Sequence, residues 1–106
     1  MSNCLVMVDV QNDYFPGGTV ELVGIEDAAD NARILLTAFR KTKSTIIHIQ
    51  HISIGPEAFF FLPETDGAKI NDRVSPREGE AVVVKNYPNS FRDTSLLEIL
   101  RNAHID

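Results

Sequence analysis

The stretch VMVDVQNDYFPGG, Val6 to Gly18, decides how the rest of the chain is read. With Cys4 and Leu5 before it, its first half is an unbroken apolar run of strand length, the pattern of a β-strand covered on both faces. The run ends in a carboxylate, Asp9, and then in a polar loop closed by Pro16-Gly17-Gly18, which neither extends a strand nor starts a stable helix. A carboxylate at the tip of a core strand must find a partner or give up its charge. A counter-charge is therefore expected elsewhere in the chain.

Downstream, the hydrophobic period changes. From about Ile25, the residues Ala28, Ala32, Leu35, Leu36 and Phe39 form one apolar stripe at helical spacing. Glu26 and Asp27 sit in its first turn, and Arg40, Lys41 and Lys43 close it, as the helix dipole favours. Thr45 to Gln50 (TIIHIQ) and Ala81 to Lys85 (AVVVK) are two further buried strands. Between them, His51 to Glu80 is rich in Pro, Gly and charge and carries Phe59-Phe60-Phe61; long segments of this kind are usually functional or cover something. After the Tyr87-Pro88-Asn89 turn, a short helix is predicted to begin near Asp93 to Ser95, with Ser95 and Glu98 at capping-box spacing and Leu96, Leu97, Ile99 and Leu100 on its apolar side. This alternation predicts an α/β protein, a three-layer doubly wound parallel sheet with right-handed crossovers. The sequence stops where a fourth strand is expected, so residues 1–106 read as the N-terminal part of a single domain, truncated after the third strand and its helix.

Composition narrows the function classes. The 106 residues carry a formal net charge of −5 with 43% hydrophobic content, which suits one globular domain and not two. The acidic balance argues against nucleic acid or an anionic membrane as partner. No apolar run approaches the ~20 residues of a membrane span, and no basic residue precedes the first apolar run as a signal peptide requires. A single cysteine, Cys4, allows no internal disulfide, so a reducing, cytoplasmic setting is expected, with Cys4 as a small buried hydrophobe.

In an open parallel sheet, ligands bind beyond the carboxyl ends of the strands. Those ends carry Asp9, then Gln50 and His51, then Lys85. Lys85 is the natural counter-charge for Asp9, because an ammonium within a few ångströms favours the ionised carboxylate and leaves it able to act as a base in a dry pocket. The competing reading is a plain buried ion pair between strands, although such pairs are poor net stabilisers. Spacing alone leaves the two balanced. Three successive phenylalanines cannot all be buried in so small a core, so at least one should cover the pocket or meet another subunit. Phe15 and Phe91, close in sequence to Asp9 and Lys85, are candidate pocket walls.

DVQNDYFPGG after the first strand, HIQH after the second, and VVVKNYPNSF with a following T-x-L helix resemble the isochorismatase-like cysteine hydrolases, a group that includes nicotinamidases, N-carbamoylsarcosine amidase-like enzymes and isochorismatases. The resemblance covers nearly the whole chain and implies a hydrolase of small amides or carbamoyl compounds. It implies an Asp-Lys-Cys triad, with Asp9 taking the thiol proton and Lys85 holding Asp9 ionised. The cysteine would attack the carbonyl to give a thioester, with backbone N–H groups stabilising the oxyanion. The family cysteine follows a fourth strand and has no counterpart here. Cys4 cannot replace it, because it lies five residues before Asp9, ~16 Å along the strand. The 106 residues alone are thus expected to be inactive as a thiol hydrolase. Some members of the group lack the cysteine and cleave a vinyl ether with the Asp-Lys pair, which is the alternative activity. A non-catalytic oligomerising module is the third reading.

Nicotinamidase-type members carry an Asp-x-His zinc motif where this chain has His48-Ile49-Gln50-His51. Residues three apart on a strand point to opposite faces, so no metal and no cofactor is expected. His48 reads as a packed strand histidine, His51 as a pocket or strand-end residue, and His104 as exposed. The resemblance also implies a dimer or tetramer acting on a small-molecule substrate. Other Asp-tipped folds fit poorly. A haloacid-dehalogenase-like enzyme needs Asp at position 11, which is Gln, and a receiver domain needs an acidic end to the third strand, which is Lys85. No Gly-x-Gly-x-x-Gly or Walker sequence is present.

Overall fold

The structure, a computed structural model, describes residues 3–105. Three strands, β1 (Cys4–Val8), β2 (Thr45–His51) and β3 (Ala81–Lys85), form one parallel sheet in the order β1-β2-β3. The register sets Val6 beside Ile47 and Ile49 beside Val83. β2 lies in the middle and is buried from Ile46 to Ile49, which is why its sequence is apolar without alternation.

Two helices, α1 (Ile25–Lys41) and α2 (Leu96–Asn102), cover opposite faces of the sheet. Strand side chains alternate between faces. Met7 and Ile46 pack on α1 at Leu36, with Ala32 and Phe39 alongside. Ile47, Ile49 and Val83 pack on α2 at Leu96, with Ile99 and Leu100 alongside and Cys4 at the margin. The result is the doubly wound α/β arrangement expected from the sequence, with β1 and β3 as its two edges.

Three local expectations need correction. α1 is rolled so that Ala29, not Ala28, sits against the sheet, and Leu35 is 52% exposed. Neighbouring alanines lie only about 100° apart on the helix, and the sequence contains no feature that chooses between them. α2 starts at Leu96, and Ser95 makes no capping bond; the Thr94 hydroxyl accepts from Leu96 N–H at 3.3 Å instead. The segment from His51 to Glu80 is also less irregular than its composition suggests. It contains short 3-10 turns at Asp66–Ala68 and Asp72–Val74, and it folds back along the β1 loop through an antiparallel bridge between Gln11 and Ile70.

A polar network ties the amino ends of the strands to α1. The Arg40 guanidinium donates to both Glu80 oxygens, at 2.6 and 2.8 Å, and the Arg77 N–H donates at 3.0 Å. His48, on the α1 face and 1% exposed, donates from Nε2 to the same carboxylate at 2.8 Å. Chiefly through Arg40, Glu80 is held at about 2, well below its ordinary 4.5. A carboxyl depressed in the folded state stabilises the fold above its unfolded value, and that contribution is lost as pH falls through the folded value. The expected outcome is a urea midpoint that declines between pH 4.5 and about 2. Glu80→Ala should lose roughly 3 kcal/mol at pH 7, because it leaves Arg40 and His48 partly buried without their partner. Urea titrations at a series of pH values check both.

Candidate active site

Asp9 follows the last residue of β1. Its N–H still donates to Ile49 at 3.1 Å, as the ladder requires, but its φ of 57° turns the chain out of the sheet. Left-handed backbone is uncommon for a residue with a side chain, and Asp is among those that tolerate it. Lys85 ends β3, so Asp9 and Lys85 stand on strands either side of β2. Two inter-strand spacings separate them, about 10 Å. Only a long side chain closes that gap, and Lys85 Nζ reaches Asp9 Oδ2 at 3.3 Å. The ammonium also donates to the Pro88 carbonyl at 3.3 Å and is 3% exposed. Asp9 Oδ1 is buried and has no hydrogen-bond partner among the described residues.

His51 sits between the pair in sequence order of the strands. It is the register partner of Lys85, on the same face of the sheet. Burial, followed by the Lys85 charge, pushes its imidazole below the ordinary histidine value, while the Asp9 charge opposes them. His48 projects to the other face, toward Glu80, so the two histidines are divided by the sheet. The structure thus brings Asp9, Lys85 and His51 together.

The other residues singled out from sequence lie differently. Gln50 faces the α1 side and donates to the Ala68 carbonyl at 2.8 Å. Phe15 is buried beneath the Arg73 guanidinium, 5.4 Å from its ring centre, and lines a cavity with Asn12, Gly18 and Asn71 that does not include Asp9. Phe91 is 51% exposed. Of the phenylalanine triplet, Phe61 is buried, Phe60 half-buried and Phe59 exposed, with neighbouring rings tilted against each other at centroid distances of 5.1 and 4.9 Å. The aromatic that shares a cavity with Asp9 is Tyr14, which the sequence reading passed over. That cavity, about 240 Å³, lies between β1 and α1 and is lined by Val8, Asp9, Tyr14, Leu22, Ile25 and Ala29 among others. Burial, and then the Asp9 charge, raise the Tyr14 phenol. A larger concavity of about 540 Å³ lies at the opposite end of the sheet, around Arg40, Thr45 and Ala81. It holds none of the strand-tip residues, and parallel sheets bind ligands at the other end.

Two polar residues after Asp9 hold the loops around it; both lie in the DVQNDYFPGG motif, but neither was named as a site residue from the sequence. Gln11 is fully buried; its Oε1 accepts from His51 N–H at 2.9 Å, and its Nε2 donates to the carbonyls of His51 and Ala68 at 2.8 and 2.7 Å. Asp13, 5% exposed, accepts from the N–H of Thr19 at 3.1 Å and of Phe61 at 2.7 Å. Burial pushes its carboxyl up, but the bonds from Phe61 and Thr19 together outweigh burial and hold it below the usual carboxylate range. The Phe61 bond also anchors that residue at φ 52°, placing its ring 5.9 Å from His51 and 4.8 Å from Tyr14. Gly67 lies flat against the Asp13 carboxylate, where any Cβ would collide with it.

This constellation, a carboxylate and an ammonium from separate strand tips on a doubly wound sheet, defines a candidate acid–base site. The family model of the isochorismatase domain matches residues 3–106, and the chain belongs to that family. It is 48% identical over 96 residues to the isochorismatase family protein YddQ of Bacillus subtilis, covering 91% of this chain and 53% of that protein. The secreted isochorismatase effector Isc1 of Verticillium dahliae is 38% identical over 99 residues, covering 93% of this chain and 51% of that one. The chain therefore spans about half the length of the curated relatives it matches. The crystal structure of N-carbamoylsarcosine amidase from Thermoplasma acidophilum superposes with a TM-score of 0.92 at 23% identity, over all of this chain and 64% of that one, a likeness of fold.

Gly67→Ala is expected to lower stability by about 2 kcal/mol, since the Cβ must displace a buried, doubly bonded carboxylate. A urea unfolding curve followed by circular dichroism reads the loss.

Proposed function

We propose that these residues carry the acid–base half of a hydrolase that cleaves a small amide or carbamoyl compound. The observation that supports the reading best is the asymmetry of Asp9: one oxygen is engaged by Lys85, and the other is buried and unbonded. A buried oxygen without a donor is costly, so it suits a site where a proton arrives during reaction. In this reading Asp9 takes the proton of a thiol, and Lys85 supplies the counter-charge. The thiolate attacks the carbonyl; the tetrahedral intermediate collapses to a thioester as the amine leaves with the proton from Asp9. Water then attacks the thioester, again giving its proton to Asp9, and the acid product departs as the thiol is restored.

Cys4 does not suit the role of nucleophile. It begins β1, at the far end from Asp9, among the apolar residues beneath α2, where burial pushes its thiol up. The thiol is proposed to come from outside residues 3–106, consistent with relatives about twice as long as the matched region. That position of Cys4 also favours a second reading, in which Asp9 acts without a thiol as the acid–base group of vinyl-ether cleavage. Alkylation separates the two, since iodoacetamide stops the thiol route and spares the other. The cavity beside Asp9, about 240 Å³ and lined by Asp9 and Tyr14 but not by Lys85 or His51, has room only for a small molecule. None of the described helices is long and apolar enough to cross a membrane. A cytoplasmic location and a homo-oligomer remain part of the proposal; exposed Val6, Val8, Ile54 and Phe59 would gain cover in an oligomer.

In the protein carrying the complete domain, Asp9→Asn is expected to reduce kcat on small amides by about a thousandfold with the fold retained. Near-wild-type turnover would exclude Asp9 as the base. Activity should also survive exhaustive chelation, because the reading assigns no step to a metal; loss on chelation, restored by zinc, contradicts it.

A further inference from the structure

We propose that Gln11 is a positioning residue whose side-chain amide stands in for the peptide that β1 withdraws from the sheet when Asp9 turns toward the cleft. In a parallel ladder, the carbonyl of the residue at position 9 would take the N–H of His51. Here the Asp9 carbonyl accepts from Gln11 N–H at 3.0 Å instead, so the turn leaves the end of β2 without its backbone partner. The Gln11 carboxamide fills the vacancy as a peptide would. Its oxygen accepts from His51 N–H at 2.9 Å, and its nitrogen donates to the His51 carbonyl at 2.8 Å.

The remaining amide proton reaches the Ala68 carbonyl at 2.7 Å, so one group joins the β1 turn, the tip of β2 and the long crossover. Gln11 is 0% exposed, which makes each of these bonds expensive to leave unmade. Two consequences follow. The carboxylate of Asp9 can leave strand geometry without orphaning the His51 backbone. The His51 ring is held at a fixed place beside Lys85 on β3 and Asp9 after β1, the two charged groups that act on it. A shorter amide could not span both backbone groups, and an apolar side chain of equal length would fill the space and satisfy none of them.

This inference rests on reading the Asp9–Lys85 cleft as the functional site, but its test needs no turnover. The probe is the His51 imidazole, followed by NMR titration in wild type and in Gln11→Met, with amide hydrogen exchange recorded in the same samples. In wild type the His51 midpoint should lie below the ordinary histidine value. In Gln11→Met it should rise toward ~6.5, and His51 N–H exchange should accelerate by about a hundredfold. The amides of Met7 and Ile47 should not change. A folded Gln11→Met with wild-type His51 behaviour overturns the proposal. Should that variant fail to fold, the wild-type protein decides: a scalar coupling across the bond from His51 N–H to the Gln11 side chain supports it, and absence of that coupling overturns it. An inert enzyme with these readings intact would count against the hydrolase reading alone.

Discussion

A lysine bridging two strands over the tip of a third is the constraint on which the rest of the structure depends. Lys85 and Asp9 are not neighbours in the sheet; β2 lies between them. For a 3.3 Å contact to form, the lysine stem must run over the end of β2, and the aspartate must turn out of β1 to meet it. The turn explains the left-handed backbone at Asp9, and the withdrawn peptide explains the buried amide at Gln11. The crossing also requires the ends of all three strands to be level, and the register achieves this by placing Lys85 beside His51. The long crossover then closes over the tip, held by Asp13 through Phe61 and by Gln11 through Ala68.

The sheet carries two buried ionic centres, one at each end, and they differ in how completely their carboxylates are satisfied. At the amino ends, both Glu80 oxygens are bonded, to Arg40, His48 and a backbone N–H. That arrangement leaves neither carboxylate oxygen free, although the buried His48 Nδ1 has no partner among the described residues, and it pins α1 to the start of β3. At the carboxyl ends, Asp9 keeps one oxygen unbonded beside a cavity. Buried groups are normally paired, and an exception calls for an explanation. Of the two centres, the one whose carboxylate keeps an unbonded oxygen is the better place to look for proton transfer to a carboxylate.

Much of this was legible in the sequence because strands buried on both faces leave apolar runs that end abruptly. CLVMVD, TIIHIQ and AVVVK each marked a strand, and their ends marked the rim: Asp9 and Lys85 close the first and third runs, and His51 directly follows the second. The helix between the first two strands was read to its first residue, Ile25. What could not be read depended on direction. Tyr14 and Phe15 are adjacent, yet a 3-10 turn sends only Tyr14 toward the cavity beside Asp9. Gln50 and His51 are adjacent too, and strand alternation divides them between faces. Gln11 and Asp13 looked like loop polarity, because the partners that bury them come from around residues 51, 61 and 68, far away in the chain. The capping-box spacing at Ser95 misled because Ser95 has φ −87° and ψ 7°, outside the extended backbone from which a capping side chain reaches the first-turn N–H groups.

The most direct measurement is of the Lys85 ammonium itself, by proton–nitrogen NMR at neutral pH with and without the Asp9 carboxyl. A shielded amine held by a carboxylate gives a resolved, slowly exchanging signal, and Asp9→Ala should shift or abolish it. A Lys85 signal lost to rapid solvent exchange in the wild-type protein, or one indifferent to the removal of Asp9, would mean the two side chains do not meet in a closed cleft.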